Sequence, residues 1–355
     1  MIKKECFTAE WIEQVSSELH YNDKNLIEKV IRALSLLEML VKAGCPLVFK
    51  GGTALMLILG KSAHRLSIDI DLICPPGTNI EDYLKSFADF GFINLELVER
   101  KQRDDADIPK SHSKFFYQIA YRNDTDAQSY ILLDVLYEDI HYFRTQQIAI
   151  NCPFIRLEGK PLMVTVPSAE DILGDKLTAF APNTTGIPYY KNGRSCSMEI
   201  AKQLYDVGRL FENVSDLQIT KEAFRKIAVV ELSYRSFGTD IGQVFNDIRQ
   251  TALCISTRGK AGEGDFDLIQ DGIIRVKSFM YKQRYLIDHA IIDAARAAYL
   301  ATLIEKGINE IESYSNNPAD IKDMVIRPSL PNKLNKLRSN LPEAYYYWAK
   351  TSELL

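Results

Sequence analysis

No apolar run in the 355-residue sequence reaches the length of a membrane span. Its start, Met1 to Glu10, lacks the long apolar core of a signal peptide, so no membrane partner and a cytoplasmic location are expected. The six cysteines (Cys6, Cys45, Cys74, Cys152, Cys196 and Cys254) are scattered without a Cys-x-x-Cys spacing. A disulfide framework and a zinc knuckle are therefore not suggested, and most should act as small buried hydrophobes. The five histidines form no ligand pair at helical spacing. Positive charge is not in excess: 43 Lys and Arg stand against 47 Asp and Glu, a net charge of −4. That argues against a general nucleic-acid-coating protein and leaves room for a local basic groove. A P-loop is missing too. Gly60-Lys61-Ser62 looks like the end of one, but Leu55 stands where its first glycine is needed. Internal repeats and low-complexity segments are absent.

What is present is ordinary globular composition, with 46% apolar and 25% charged residues, in a chain long enough for two domains. The informative stretch is Lys50-Gly51-Gly52-Thr53, followed after fifteen residues by Asp69-Ile70-Asp71-Leu72. Pro46 to Phe49 reads as a short buried strand, the glycines as a turn, and Thr53 to Leu59 as a buried helix. Leu66 to Ile73 alternates, which predicts a strand with Asp69 and Asp71 on one face and Ile70 and Leu72 on the other. Two carboxylates on one face can bind divalent cations. A turn opening a helix offers free backbone N–H groups to a phosphate. Either feature alone is common in turns and solvated loops.

Together these residues resemble the AbiEii/AbiGii family of nucleotidyltransferase toxins, which has the MenT toxins as relatives. The quoted residues are Lys50-Gly51-Gly52-Thr53-Ala54-Leu55 and Arg65 to Leu72. These toxins of type IV toxin–antitoxin and abortive-infection systems belong to the DNA polymerase β-like superfamily, which typically has Gly-Ser where this chain has Gly52-Thr53. The resemblance implies a third carboxylate on a neighbouring strand. Asp134, the one acid in the apolar run Ser129 to Tyr137, fits, because a carboxylate there is costly unless paired or metal-bound. It implies a lysine on a later helix, matched by Lys176, with Ser168 and Asp171 as a capping pair. The next family motif is matched by Asp206, while Gln203 replaces the motif's first acid. Asp206 could pair with Lys176 or help hold the nucleotide; it could also be an exposed helix acid.

The implied fold is α+β: a polymerase β-like mixed sheet with N-terminal helices over 1–166, then a helical bundle over 167–355 closing the nucleotide cleft. Strands are predicted near 46–50, 66–73, 92–99, 114–122, 129–137 and 147–157. Helices are predicted over 8–44, 78–90 and 286–307, with a terminal helix holding Tyr345 to Trp348. Residues 100–110 read as a polar connection and 181–195 as a long loop, in which Lys191 and Arg194 could reach phosphates. Two C-terminal clusters remain open between gripping RNA and lying on solvated faces. One is Arg275, Lys277, Lys282 and Arg284 with Phe279, Tyr281 and Tyr285; the other is Lys333, Lys336 and Arg338.

The activity implied is nucleotide transfer from an NTP with Mg²⁺ or Mn²⁺, with release of pyrophosphate. Asp69, Asp71 and Asp134 are the expected metal ligands. Lys50, Gly51, Gly52, Thr53, Arg65, Lys176 and Asp206 are expected to hold the nucleotide, with Lys176 assisting catalysis. The expected acceptor is RNA, the 3′ end of tRNA, and an antitoxin is expected to act without a stable complex or by weak contact. The alternatives are a protein-nucleotidylating enzyme and a weakly catalytic NTP-binding protein acting through its antitoxin.

Overall fold

The structure, a computed structural model, describes residues 1–97, 110–122, 127–214, 216–235, 238 and 240–355. It divides into two compact units, 1–168 with 278–284, and 169–277 with 285–355. The segment 278–284 returning to the first unit has no counterpart in the sequence reading.

The first unit opens with α1 (Ala9–Glu18) and α2 (Lys24–Lys42). The stretch predicted as one helix over 8–44 is broken where His20 takes a left-handed φ of 51°, and Asp23 then caps α2 by accepting from Leu26 N. Leu26, Ile27, Val30, Ile31, Leu34, Leu37 and Leu40 are all buried along α2. Each fully buried side chain of this kind contributes about 1.5–3 kcal/mol. The cap contributes about 1 kcal/mol, so the apolar stripe dominates.

Then come β1 (Val48–Lys50), α3 (Gly51–Leu59), β2 (Ile70–Cys74), β3 (Asn94–Leu97), β4 (Lys110–Gln118) and β5 (Gln128–Tyr137). They form one mixed sheet in the order β1-β2-β5-β4-β3, in which β2 and β5 are parallel and the other pairs antiparallel. Ile70, Leu72, Phe115, Tyr117, Ile131, Leu133 and Val135 are buried in the same core as α2. The alternate residues, including Asp71, His112, Lys114, Tyr130 and Asp134, make the other, more accessible face. A two-stranded sheet, β6 (Thr145–Ala149) with β7 (Met163–Pro167), completes the unit.

Further local expectations change, and the strand predicted over 147–157 ends at Ala149. The helix predicted over 78–90 is two 3-10 turns, Ile80–Tyr83 and Phe87–Phe90. Its last carbonyls are taken from outside: Ser35 Oγ donates to Phe90 O at 3.2 Å and Arg32 Nη1 to Gly91 O at 3.1 Å. Also, β4 starts at Lys110 rather than 114 and ends at Gln118, which brings His112 into the sheet. Residues 98–109, where the polar connection falls, lie outside those described.

The second unit comprises α4 (Ala169–Ala179), a small hairpin of β8 (Tyr190–Lys191) and β9 (Arg194–Ser195), and α5 (Ser197–Phe211). There follow α6 (Leu217–Ser233), α7 (Ile241–Ser256), α8 (Phe266–Val276), α9 (Ile287–Lys306), α10 (Leu337–Asn340) and α11 (Pro342–Leu354). The alanines at 294, 295, 297, 298 and 301 are fully buried in α9, and small side chains let neighbouring helices approach closely. Gly174 does the same for α4: a methyl there would stand 2.8 Å from Phe224 N on α6. Tyr345, Tyr346, Tyr347 and Trp348 of α11 are buried.

The loop over 181–195 is tied down rather than loose. Asn183 and Thr184 donate to Asp247, and Arg235 Nη2 donates to Thr185 O and Gly186 O at 2.5 and 2.7 Å. Burial pushes the Asp247 carboxyl above the usual carboxylate range, and those hydrogen bonds partly offset it.

Candidate functional site

The candidate site of the first unit grows from the turn between β1 and α3. Gly51 has a φ of +78°, a region that costs any residue with a Cβ. Space is closed as well: a methyl at Gly51 would lie 2.2 Å from Asp71 Oδ2. A methyl at Gly52 would lie 2.8 Å from Ser67 Oγ and 2.9 Å from Arg65 Nη2. Bare backbone therefore meets the carboxylate of β2 on one side and a guanidinium and hydroxyl on the other. Lys50, at the N-cap of α3, makes no side-chain cap. Thr53 is buried, and its Oγ1 donates to Asp69 O at 2.7 Å, pinning the start of β2 to the helix.

Register then aligns four side-chain positions across the sheet. Lys50 on β1 is opposite Asp71 on β2, Asp71 is opposite Asp134 on β5, and Asp134 is opposite His112 on β4. Neighbouring strands lie about 4.8 Å apart, so the two carboxylates sit side by side. Like charges placed so repel, which makes such a pair unfavourable without a cation or proton between or beside them. His112 Nδ1 lies 2.5 Å from Asp134 Oδ1, the ring N–H donating to the carboxylate. Two hard oxygen donors in one row, beside a third at Asp69, fit a divalent cation of the magnesium type in donor chemistry.

Asp69 lies just outside the regular strand. It falls one residue before β2, where its carbonyl is engaged by Thr53. Asp69 and Asp71, both half-buried, still alternate with the buried Ile70 and Leu72. Among the described residues, no three acidic, histidine or cysteine side chains are grouped as metal ligands. Asp71 and Asp134 are register neighbours on β2 and β5, with Asp69 just before β2.

Arg65 is buried beside the turn, its Nη1 donating to Leu66 O at 3.0 Å, and pairs in an isolated bridge with Met280. The segment 278–284 holds this approach to β2: Leu66 N donates to Phe279 O at 2.8 Å and Tyr281 N to His64 O at 3.1 Å. Tyr281 and Tyr285 are buried, while Arg275, Lys277, Lys282 and Arg284 are exposed. The first basic-aromatic cluster is thus solvated charge over packed rings, not a base-stacking surface.

In the second unit, Lys176 on α4 and Asp206 on α5 form a buried ion pair at 3.0 Å. Lys176 Nζ also donates to Gln203 Oε1 at 3.0 Å. The pairing considered from sequence is made, and the residue set aside there, Gln203, is its third member. Its signal was its i,i+3 spacing from Asp206 on one helix face.

Three other residues escaped the sequence reading. His112 needed the true start of β4. Ser67 lies within the motif, but only the fold shows it touching Gly52. Lys29 of α2 lies near Asp69: burial pushes its ammonium below the usual lysine range, and the charges of Asp69 and Asp23 pull it back up.

A family model described as "Nucleotidyl transferase AbiEii toxin, Type IV TA system" matches residues 34–319. Among solved structures, JHP933 from Helicobacter pylori is 17% identical, covering 79% of this chain and 94% of its own, with a TM-score of 0.42. MenT4, a nucleotidyltransferase toxin from Mycobacterium tuberculosis H37Rv, is 11% identical, covering 83% of this chain and 89% of its own, with a TM-score of 0.47. Structural likenesses this distant carry no weight for the site. No curated protein gives a significant sequence match.

Proposed function

The chain belongs to the AbiEii family of nucleotidyltransferases, toxins of type IV toxin–antitoxin systems, and from that premise we propose that it transfers a nucleotide from a Mg-NTP to the 3′ end of an RNA, specifically tRNA. The family implies an NTP substrate and an antitoxin partner; we propose that the antitoxin acts without a stable complex. The observation that carries the reading is the row Lys50–Asp71–Asp134–His112 laid beside the Gly51–Gly52 turn.

The backbone N–H groups opening α3 receive the triphosphate, with Lys50 and Arg65 supplying positive charge. Asp71 and Asp134, with Asp69, are the residues that would hold Mg²⁺ or Mn²⁺, which when bound supplies charge neutralisation at the reacting phosphate. Asp134, oriented by His112, takes the proton of the acceptor hydroxyl. The acceptor oxygen then bonds to the α-phosphorus, the bond from that phosphorus to the bridging oxygen breaks, and pyrophosphate departs with the electron pair. Lys176 and Asp206 carry over from the family motif as residues that serve nucleotide binding.

Purified protein incubated with each α-³²P-labelled NTP, Mg²⁺ and total RNA tests the reading, beside Asp71→Asn. Label in a tRNA-sized band, lost in the variant, is expected. Label on protein would move the acceptor to a polypeptide. Transfer undiminished by Asp71→Asn would overturn the site.

A further inference from the structure

The second unit holds a pocket of about 540 Å³ where the C-terminal end of α7 meets α9 and the turn into α10. That volume lies in the range of nucleotide-sized ligand sites. Its rim carries four cations, Arg258, Lys260, Lys333 and Lys336, against one acid, Asp288. Ile291, Leu337 and Leu341 line it as well, beside Ser256, Thr257 and Asn340. We propose that this is a phosphate-binding pocket for a nucleotide unit, supplied either by an RNA chain or by a free nucleotide, distinct from the candidate active site and independent of the reaction proposed above.

The balance of charge within the pocket supports it. Arg258 pairs with Asp288 at 2.9 Å, and Lys333 Nζ donates to Lys260 O at 2.9 Å. Among the described residues, the ammonium groups of Lys260 and Lys336 have no ion pair or side-chain hydrogen bond. Cations around one concavity repel each other, and an anion relieves that repulsion. The C-terminal end of α7 attracts positive charge and accounts for Arg258 and Lys260. It does not account for Lys333 and Lys336, which arrive on a separate helical turn, Asn332–Lys336. Backbone geometry adds a second observation. Arg258 has a φ of 52° just past the end of α7, a position usually given to glycine. The chain keeps a guanidinium there despite the conformational cost. Cations beside hydroxyl, amide and aliphatic groups suit a phosphate with its ribose and base.

The test is binding of two probes, a short fluorescein-labelled single-stranded RNA and GTP, to the full chain and to Lys333→Gln/Lys336→Gln. Lys306→Gln/Lys322→Gln, which removes the same charge from exposed positions elsewhere on the second unit, is the control. If RNA is the ligand, its affinity falls roughly tenfold in the pocket variant alone. The slope of log affinity against log salt then drops by about 1.4, because each phosphate that a single strand no longer has neutralised removes about 0.7. If a free nucleotide is the ligand, calorimetry shows one GTP fewer per chain in the pocket variant and unchanged RNA affinity. Either result requires an unaltered melting temperature; Lys336→Gln alone is the fallback if the double variant is unstable. Equal losses in pocket and control variants, or no loss of either probe, would overturn the proposal.

Discussion

At the scale of single residues, Gly51 is a position of the candidate site where the sequence has little freedom. A side chain there must tolerate a φ of +78° and displace the Asp71 carboxylate. Gly51→Ala is expected to cost about 1–3 kcal/mol of stability from backbone strain. Transfer activity should fall about a hundredfold, since an ångström of misplacement at a reacting centre has that effect. Denaturant unfolding and an initial-rate assay on the same preparation check both parts; full activity in the alanine variant would show that the turn does not set the carboxylate. His112 acts one step further out, as a positioning residue for Asp134. His112→Ala should lower kcat about 10–100-fold, the usual cost of losing a supporting partner, and leave the KM for NTP nearly unchanged. His112→Asn, which keeps a donor, should recover part of the loss. A KM effect without a kcat effect would place His112 in nucleotide binding instead.

Elements explain why the site was only partly legible in the sequence. The glycine turn and the Asp-x-Asp pair could be read directly because they are local: φ, spacing and alternation act within a few residues. Asp134 was legible through the cost of an acid in an apolar strand. His112 was not, because its place depends on where β4 begins, and strand ends are set by pairing with distant partners rather than by their own residues. The start of β2 is displaced for a related reason: Thr53 takes the Asp69 carbonyl, and the strand begins one residue later. Over 78–90 two short turns stand in place of the helix, and α2 supplies Arg32 and Ser35 to the carbonyls at their end. Between α4 and α5, the buried Lys176–Asp206 pair makes a further prediction. Removing Lys176 takes a cation from a buried carboxylate, so Lys176→Met should cost about 3–5 kcal/mol, whereas Lys176→Met with Asp206→Leu should recover much of that stability. A double-mutant cycle by urea unfolding measures the coupling; additive single effects would mean that the pair is not coupled. Activity should not return in the double variant if the pair serves nucleotide binding.

At the scale of the whole molecule, one deeply buried charge cluster lies in the helical unit, on residues that take no part in the proposed reaction. Asp293 on α9 is buried against Arg296 and Arg209, at 3.3 and 3.6 Å, with the Tyr285 hydroxyl beside it. Burial raises its carboxyl to about 6, against the opposing pull of Arg209 and Arg296. An unfolded aspartate titrates near 3.9. Between those values the folded chain binds more protons than the unfolded one, so this group makes unfolding harder as pH falls through 6. The gain is complete below about 4 and lost above 6, and two pH units correspond to about 3 kcal/mol at most. Asp293→Asn keeps the shape and removes the titration. The stability of the parent chain minus that of the variant should therefore decrease as pH rises from 5 to 7.5, measured by urea unfolding at each pH. Glu28, Glu38 and Asp247 are also shifted upward by burial and are shared by both chains, so their contribution cancels in that difference. A difference that stays flat, or grows with pH, would mean that the two arginines hold Asp293 ionised throughout. The buried cluster would then be a permanent ion network rather than a site that takes up a proton on folding.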